Sequence, residues 1–170
     1  MNQPENKLWD ETQPPKLGST LNVLTILTFI GCGLQLLGTL SSFVTAKTNY
    51  DNREETVKQF QSDEMPGFAK SLIGDPQDFI EVVTKSYENR MPILLLGLVA
   101  VGLCLAGAIQ MRKLKKQGYT LYIIGQIIPF ITMIAFVGAM AFKGFPAMFS
   151  IGITLLFVLL YTFQRKNLVY

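Results

Sequence analysis

The chain has 170 residues, of which 49% are hydrophobic and 16% charged, and its net charge is +3. That composition is too apolar for a disordered chain, and the length suits one bundle rather than several domains. The basic residues sit beside long uncharged runs instead of forming an extended basic face, which argues against nucleic acid as a partner and for a lipid bilayer.

The uncharged runs are Leu17–Ala46, Met91–Met111, Gln117–Phe142 and Gly144–Gln164, and no Asp or Glu follows Asn89. Each holds about 20 residues or more, enough at ~1.5 Å rise per residue to cross a ~30 Å hydrocarbon layer as a helix. The predicted fold class is an all-α membrane protein, a four-transmembrane-helix bundle with a helical extracytoplasmic loop between helices 1 and 2.

In chain order, residues 1–20 form a polar tail whose Pro4, Pro14 and Pro15 disfavour helix, with the single tryptophan, Trp9, inside it. The first span is expected over 21–46. Val44-Thr45-Ala46 resembles a cleavage-site pattern, but the apolar core from Leu21 to Leu40 is longer than the ~7–15 residues of a signal peptide, so the span is expected to be retained.

The loop over 47–90 carries its own helical signals. Asp75-Pro76-Gln77-Asp78 combines an N-cap, a proline at the first helical position and an early acid. After it, Phe79, Ile80, Val82, Val83 and Tyr87 share one face at ~100° per residue, opposite Asp78, Glu81, Lys85 and Glu88. A weaker stretch covers Arg53–Gln61 with Val57 and Phe60 as its apolar side, and the Met65–Ile73 segment adds Phe68, Leu72 and Ile73. The loop is expected to cap the bundle.

The second span is expected over 91–111, with Pro92 in its first turn, followed by a basic turn over 112–117. The third covers 118–142. Lys143-Gly144-Phe145-Pro146 predicts a tight connection and an antiparallel pairing with the fourth span, 147–164, before a tail over 165–170. Lys and Arg are nearly even by side, eight against seven, but four crowd the short turn while six are spread along the loop. Density near span ends governs insertion, so both termini are expected to be cytoplasmic.

No histidine occurs in the chain, which removes His-based general bases, Ser–His and Cys–His pairs and the commonest metal ligand. The four spans also lack Asp, Glu, Lys and Arg, so a proton- or cation-coupled carrier is not expected. The acids of the loop lack EF-hand spacing, and no phosphate loop, paired-cysteine or haem motif is present. The expectation is a protein that is not an enzyme, with no catalytic residues, no metal and no cofactor.

What the spans do carry is a pattern of small and polar residues. In span 1, Thr25, Thr28, Cys32, Gln35, Thr39 and Ser42 recur at alternating three- and four-residue steps and so share a stripe, with Gly31 and Gly38 beside it. Span 2 offers Gly97, Ala100, Cys104 and Gly107, and span 3 offers Gly125, Thr132, Ala135 and Ala139. Small residues let helix backbones approach closely in lipid, so these stripes predict packing seams. Spans 1 and 2 are expected to share a seam holding Cys32 and Cys104. Both cysteines lie in spans, which excludes a disulfide framework in an aqueous loop.

Three glutamines, Gln35, Gln110 and Gln126, are the most polar groups at membrane depth. Pro129 frees the carbonyl of Gly125 beside Gln126, so Gly125, Gln126 and Pro129 form a candidate polar notch. The turn residues Arg112, Lys113, Lys115 and Lys116 are topogenic and candidate contacts for anionic lipid headgroups.

Leu21-Asn22-Val23-Leu24-Thr25-Ile26-Leu27-Thr28-Phe29-Ile30-Gly31 opens span 1, and Gln110-Met111-Arg112-Lys113-Leu114-Lys115-Lys116-Gln117-Gly118-Tyr119 precedes Pro129. Together these segments resemble small, uncharacterised four-span proteins of bacterial inner membranes, a resemblance that implies topology and location but no activity. The expected function is an accessory or scaffold subunit that binds other membrane proteins or itself. The alternative is a small oligomeric pore or carrier for a neutral or lipid-like ligand.

Overall fold

The computed structural model describes residues 18–61, 75–143 and 145–168. The tail with Trp9, the Met65–Ile73 segment and Gly144 of the expected tight connection lie outside the described residues.

Among the described residues, six α-helices follow in order: α1 (Ser19–Asp51), α2 (Arg53–Gln61), α3 (Pro76–Glu88), α4 (Arg90–Arg112), α5 (Lys116–Phe136) and α6 (Phe145–Gln164), with 3-10 turns at Ala139–Phe142 and Arg165–Asn167. No strand occurs among the described residues. α1, α4, α5 and α6 are long and apolar enough to cross a membrane. They make this an integral membrane protein with a four-helix bundle and helices in the loop between the first two spans.

α1 has 33 residues, about 50 Å at 1.5 Å per residue, and so overreaches a ~30 Å hydrocarbon layer. It extends beyond the expected 21–46, and its extra turns give the loop helices something to pack on. α3 begins as its sequence predicts: the Asp75 carboxylate accepts from Gln77 N–H at 2.9 Å and Pro76 opens the helix. Phe79 meets Phe60 of α2 edge-on at 6.4 Å, and Tyr87 stacks on Tyr50 of α1 at 4.6 Å. Thus both loop helices close over one end of the bundle.

α4 is the central helix, packed against α1 on one side and, most extensively, α5 on the other. Glycine explains that closeness. A Cβ on Gly107 would lie 2.7 Å from the Gly118 carbonyl oxygen, one on Gly118 2.6 Å from Met111 N, and one on Gly125 2.9 Å from the Ala100 carbonyl oxygen. Gly107 and Ala100 on α4 thus face Gly118 and Gly125 on α5 with nothing between the backbones. Gly118, which the seam predicted for span 3 omitted, is as tightly placed as Gly125, which it included, whereas Ala135 of that seam is exposed.

The turn between α4 and α5 ends the first helix with a Schellman arrangement, Lys115 N–H to the Gln110 carbonyl and Leu114 N–H to that of Met111, both near 3 Å. Leu114 takes the left-handed position, φ 57°, where glycine is usual. Its side chain is buried with Leu21, Met111 and Leu168, which accounts for a leucine there.

The third span departs from expectation. The sequence predicts it to be continuous to residue 142, but α5 ends at Phe136, Gly138 adopts φ 102° and ψ 176°, and Ala139–Phe142 form a 3-10 turn. That backbone conformation is open only to glycine, so the helix must stop there. Ala139 therefore lies off the helical stripe assigned to it. Asn89, at the α3–α4 junction, donates to the Phe136 carbonyl at 3.2 Å and satisfies part of the broken end.

α6 runs antiparallel to α5, as expected, since Tyr119 at the start of α5 bonds Thr162 near the end of α6 at 2.8 Å. It joins the core through Phe157, Val158 and Tyr161, in its second half.

Candidate functional site

The stripe on α1 divides into two halves with different surroundings. Thr25, Thr28 and Cys32 are buried, whereas Gln35, Thr39 and Ser42 line a cavity.

The buried half belongs to a polar cluster that joins all four long helices. Thr28 Oγ1 and Tyr161 Oη lie 2.7 Å apart, linking α1 to α6. The rings of Tyr122 on α5 and Tyr161 pack at 4.6 Å between centroids. Cys32 and Cys104, both buried, are neighbours across the α1–α4 seam. Gln126 Nε2 donates to Cys104 Sγ at 3.7 Å, so a mid-membrane amide finds a partner. Tyr122 and Tyr161 are each 1% exposed. Their burial was not legible because it depends on α6 swinging Tyr161 against α1.

The second half forms the wall of a cavity of about 520 Å³. α1 contributes Gln35, Gly38, Thr39, Ser42 and Asn49; α3 contributes Val82, Val83, Ser86 and Tyr87. α4 adds Arg90, Ile93 and Gly97, and α5 adds Pro129, Thr132 and Met133. The amphipathic face predicted for α3 thus closes the cavity rather than resting on a filled core. Gly97 keeps the inner end tight, since a Cβ there would meet Thr39 Cγ2 at 2.9 Å.

Polar groups in the wall are largely occupied with their own helices. Thr39 Oγ1 donates to the Gln35 carbonyl at 2.8 Å and Thr132 Oγ1 to that of Ile128 at 2.8 Å, both one turn back. At the mouth, Arg53, Tyr50, Tyr87 and Arg90 form a ladder: a guanidinium 4.1 Å from the Tyr50 centroid, two stacked rings, and a guanidinium 4.6 Å from the Tyr87 centroid. Arg90 is the one charged residue in the wall among the described residues.

The candidate notch does not come together as one site. Pro129 lines the cavity, but Gly125 is pressed against Cys104 Sγ, 2.7 Å from where its Cβ would stand, and Gln126 turns to that same sulfur. Gln35 lines the cavity with Pro129, whereas Gln110 lies at the opposite end with its Oε1 buried and unbonded to protein.

The basic turn is solvent-facing: Arg112, Lys113, Lys115 and Lys116 are all exposed, and Arg112 lies 5.9 Å over the ring of Phe29. On the cavity side, Lys143 bonds Asp78 of α3 at 2.9 Å, and the Asp78 carboxylate beside it raises the Lys143 ammonium above its ordinary value. This bond ties the turn before α6 to the helix that closes the cavity. Among the described residues, no three His, Cys, Asp or Glu side chains gather as they would around a metal ion.

No protein-family model, curated protein or solved structure matches this chain, so the resemblance to small bacterial inner-membrane proteins has no matching family behind it and the site is read from its own residues.

Proposed function

We propose that this chain is a non-enzymatic multi-pass protein of a bacterial inner membrane, with both termini cytoplasmic, that binds a lipid-like molecule in the cavity beneath α3. The observation that carries this reading is the cavity itself. It lies within the size range of small-molecule sites, ~300–1,000 Å³, and its wall is mostly apolar with a few polar side chains. It lies between helices of one chain, so binding needs no oligomeric pore. The absence of histidine from the sequence and of acids after Asn89 supports a role in binding rather than in catalysis.

The test is mass spectrometry of the protein extracted gently from its membrane. A lipid-like molecule should leave with the protein and be lost from Gly38→Phe or Ser42→Trp, which place rings in the wall. Gly38 has nothing within 4 Å of an added Cβ, so the first variant should fold. Equal retention by both folded variants would refute the reading.

A second reading, an accessory or scaffold subunit, draws on Gly31 and Gly33, whose added Cβ atoms would also meet nothing within 4 Å. Two positions apart, they lie on opposite sides of α1, and each leaves a small-residue notch open to another helix. Recovery of a stoichiometric membrane partner that Gly31→Leu and Gly33→Leu release would favour it.

A further inference from the structure

Resting on the ligand-binding reading above, the geometry points to a more specific occupant, and we propose that it is a single-chain amphiphile with an anionic head, of the fatty-acid class. Its chain lies along α1 and its carboxylate meets Arg90. Three observations converge on this class.

The first is size. At ~30 Å³ for a water-sized group, about 520 Å³ holds roughly 17 such groups, and a methylene is of similar size. One acyl chain of ordinary length with a small head fits that volume. A two-chain phospholipid, with about twice the methylenes and a bulky head, would leave much of itself outside.

The second is shape. The α1 wall runs from Gln35 to Asn49, about 21 Å at 1.5 Å per residue, so the cavity is elongated along the bundle. Its inner end is bounded by Gly97, Pro129, Thr132 and Met133. The threonine hydroxyl there is bonded to its own helix, which leaves a surface suited to methylenes.

The third is charge. Arg90 stands at the start of α4, next to the loop helices, and no carboxylate among the described residues lines the wall. Its guanidinium lies over the face of Tyr87, which holds the plane while leaving its in-plane N–H donors available. Among the described residues, no ion pair engages it. A planar fork of donors at the mouth of an apolar cavity matches a carboxylate.

The experiment measures saturable binding of radiolabelled palmitate and of hexadecanol to the full chain in nanodiscs, for the wild type, Arg90→Gln, Arg90→Lys and Gly38→Phe. Palmitate should bind in preference to hexadecanol. Arg90→Gln should weaken palmitate about tenfold or more, as expected for a lost charge-assisted hydrogen bond, with hexadecanol unchanged. Arg90→Lys should retain part of the palmitate affinity, which separates loss of charge from loss of fold, and Gly38→Phe should block both ligands. If palmitate and hexadecanol bind equally and Arg90→Gln affects neither, the anionic-head assignment falls while the cavity reading stands. Displacement of palmitate by phosphatidylglycerol at equal concentration would overturn the single-chain assignment. If neither probe binds saturably, both readings fall.

Discussion

Thr28 on α1 and Tyr161 on α6, 133 residues apart in the chain, share a buried hydroxyl hydrogen bond of 2.7 Å. α6 is the least embedded of the long helices, with only 6% of its span buried within the protein, so this bond and the Tyr119–Thr162 bond anchor it. A double-mutant cycle of Thr28→Val and Tyr161→Phe, read by detergent-induced unfolding, should give a coupling of ~0.6 kcal/mol and no more than ~1.7. Zero coupling would mean that packing alone holds the last helix.

The α4–α5 pairing predicts a sharp difference among glycines. Gly107→Ala, Gly118→Ala and Gly125→Ala push a methyl into backbone or sulfur and should each destabilise by ~1–3 kcal/mol. Gly33→Ala and Gly102→Ala meet nothing within 4 Å and should be neutral or stabilising by up to ~1 kcal/mol, the helix-propensity difference. The same unfolding assay ranks all five, and overlap between the groups would contradict the packing described.

Much of this architecture can be read from the sequence. Charge-free runs locate the four long helices, because lipid imposes length and hydropathy on each span independently of its neighbours. The α3 start is equally local, since Asp75 and Pro76 act within one turn. What escapes is pairwise. The alternating stripe on α1 shows which residues share a face, but not that Gln35, Thr39 and Ser42 open onto a cavity while Thr28 meets Tyr161. Gly138 was a readable stop signal for α5, hidden by the apolar residues that continue past it to Phe142.

Cys32 and Cys104 should cross-link within one chain. Mild oxidation or a short thiol-reactive bridge should remove both free thiols from the unfolded, trapped protein without creating a dimer, as mass spectrometry can show. Two reactive thiols that never join would place α1 and α4 in a different register from the one seen here.

The Lys143–Asp78 contact carries a pH dependence. The folded ammonium titrates above its ordinary 10.5, so the stabilisation is complete below that value and fades as pH rises through the higher folded one. Exchange protection over Pro76–Glu88 should hold across neutral pH and drop in strongly alkaline buffer. Lys143→Met should lack that step and start from lower protection. An identical alkaline drop in the variant would assign it to other groups.

The most direct test of a ligand-binding bundle is photolabelling in the native membrane with a photoactivatable acyl-chain probe, followed by peptide mapping. Labels should concentrate on Val82 and Val83 of α3 and on Met133 of α5, and Gly38→Phe should abolish them. Labels confined to outward residues such as Leu34, Leu37, Ile131 and Leu155, unchanged in that variant, would show that acyl chains only surround this protein and do not enter it.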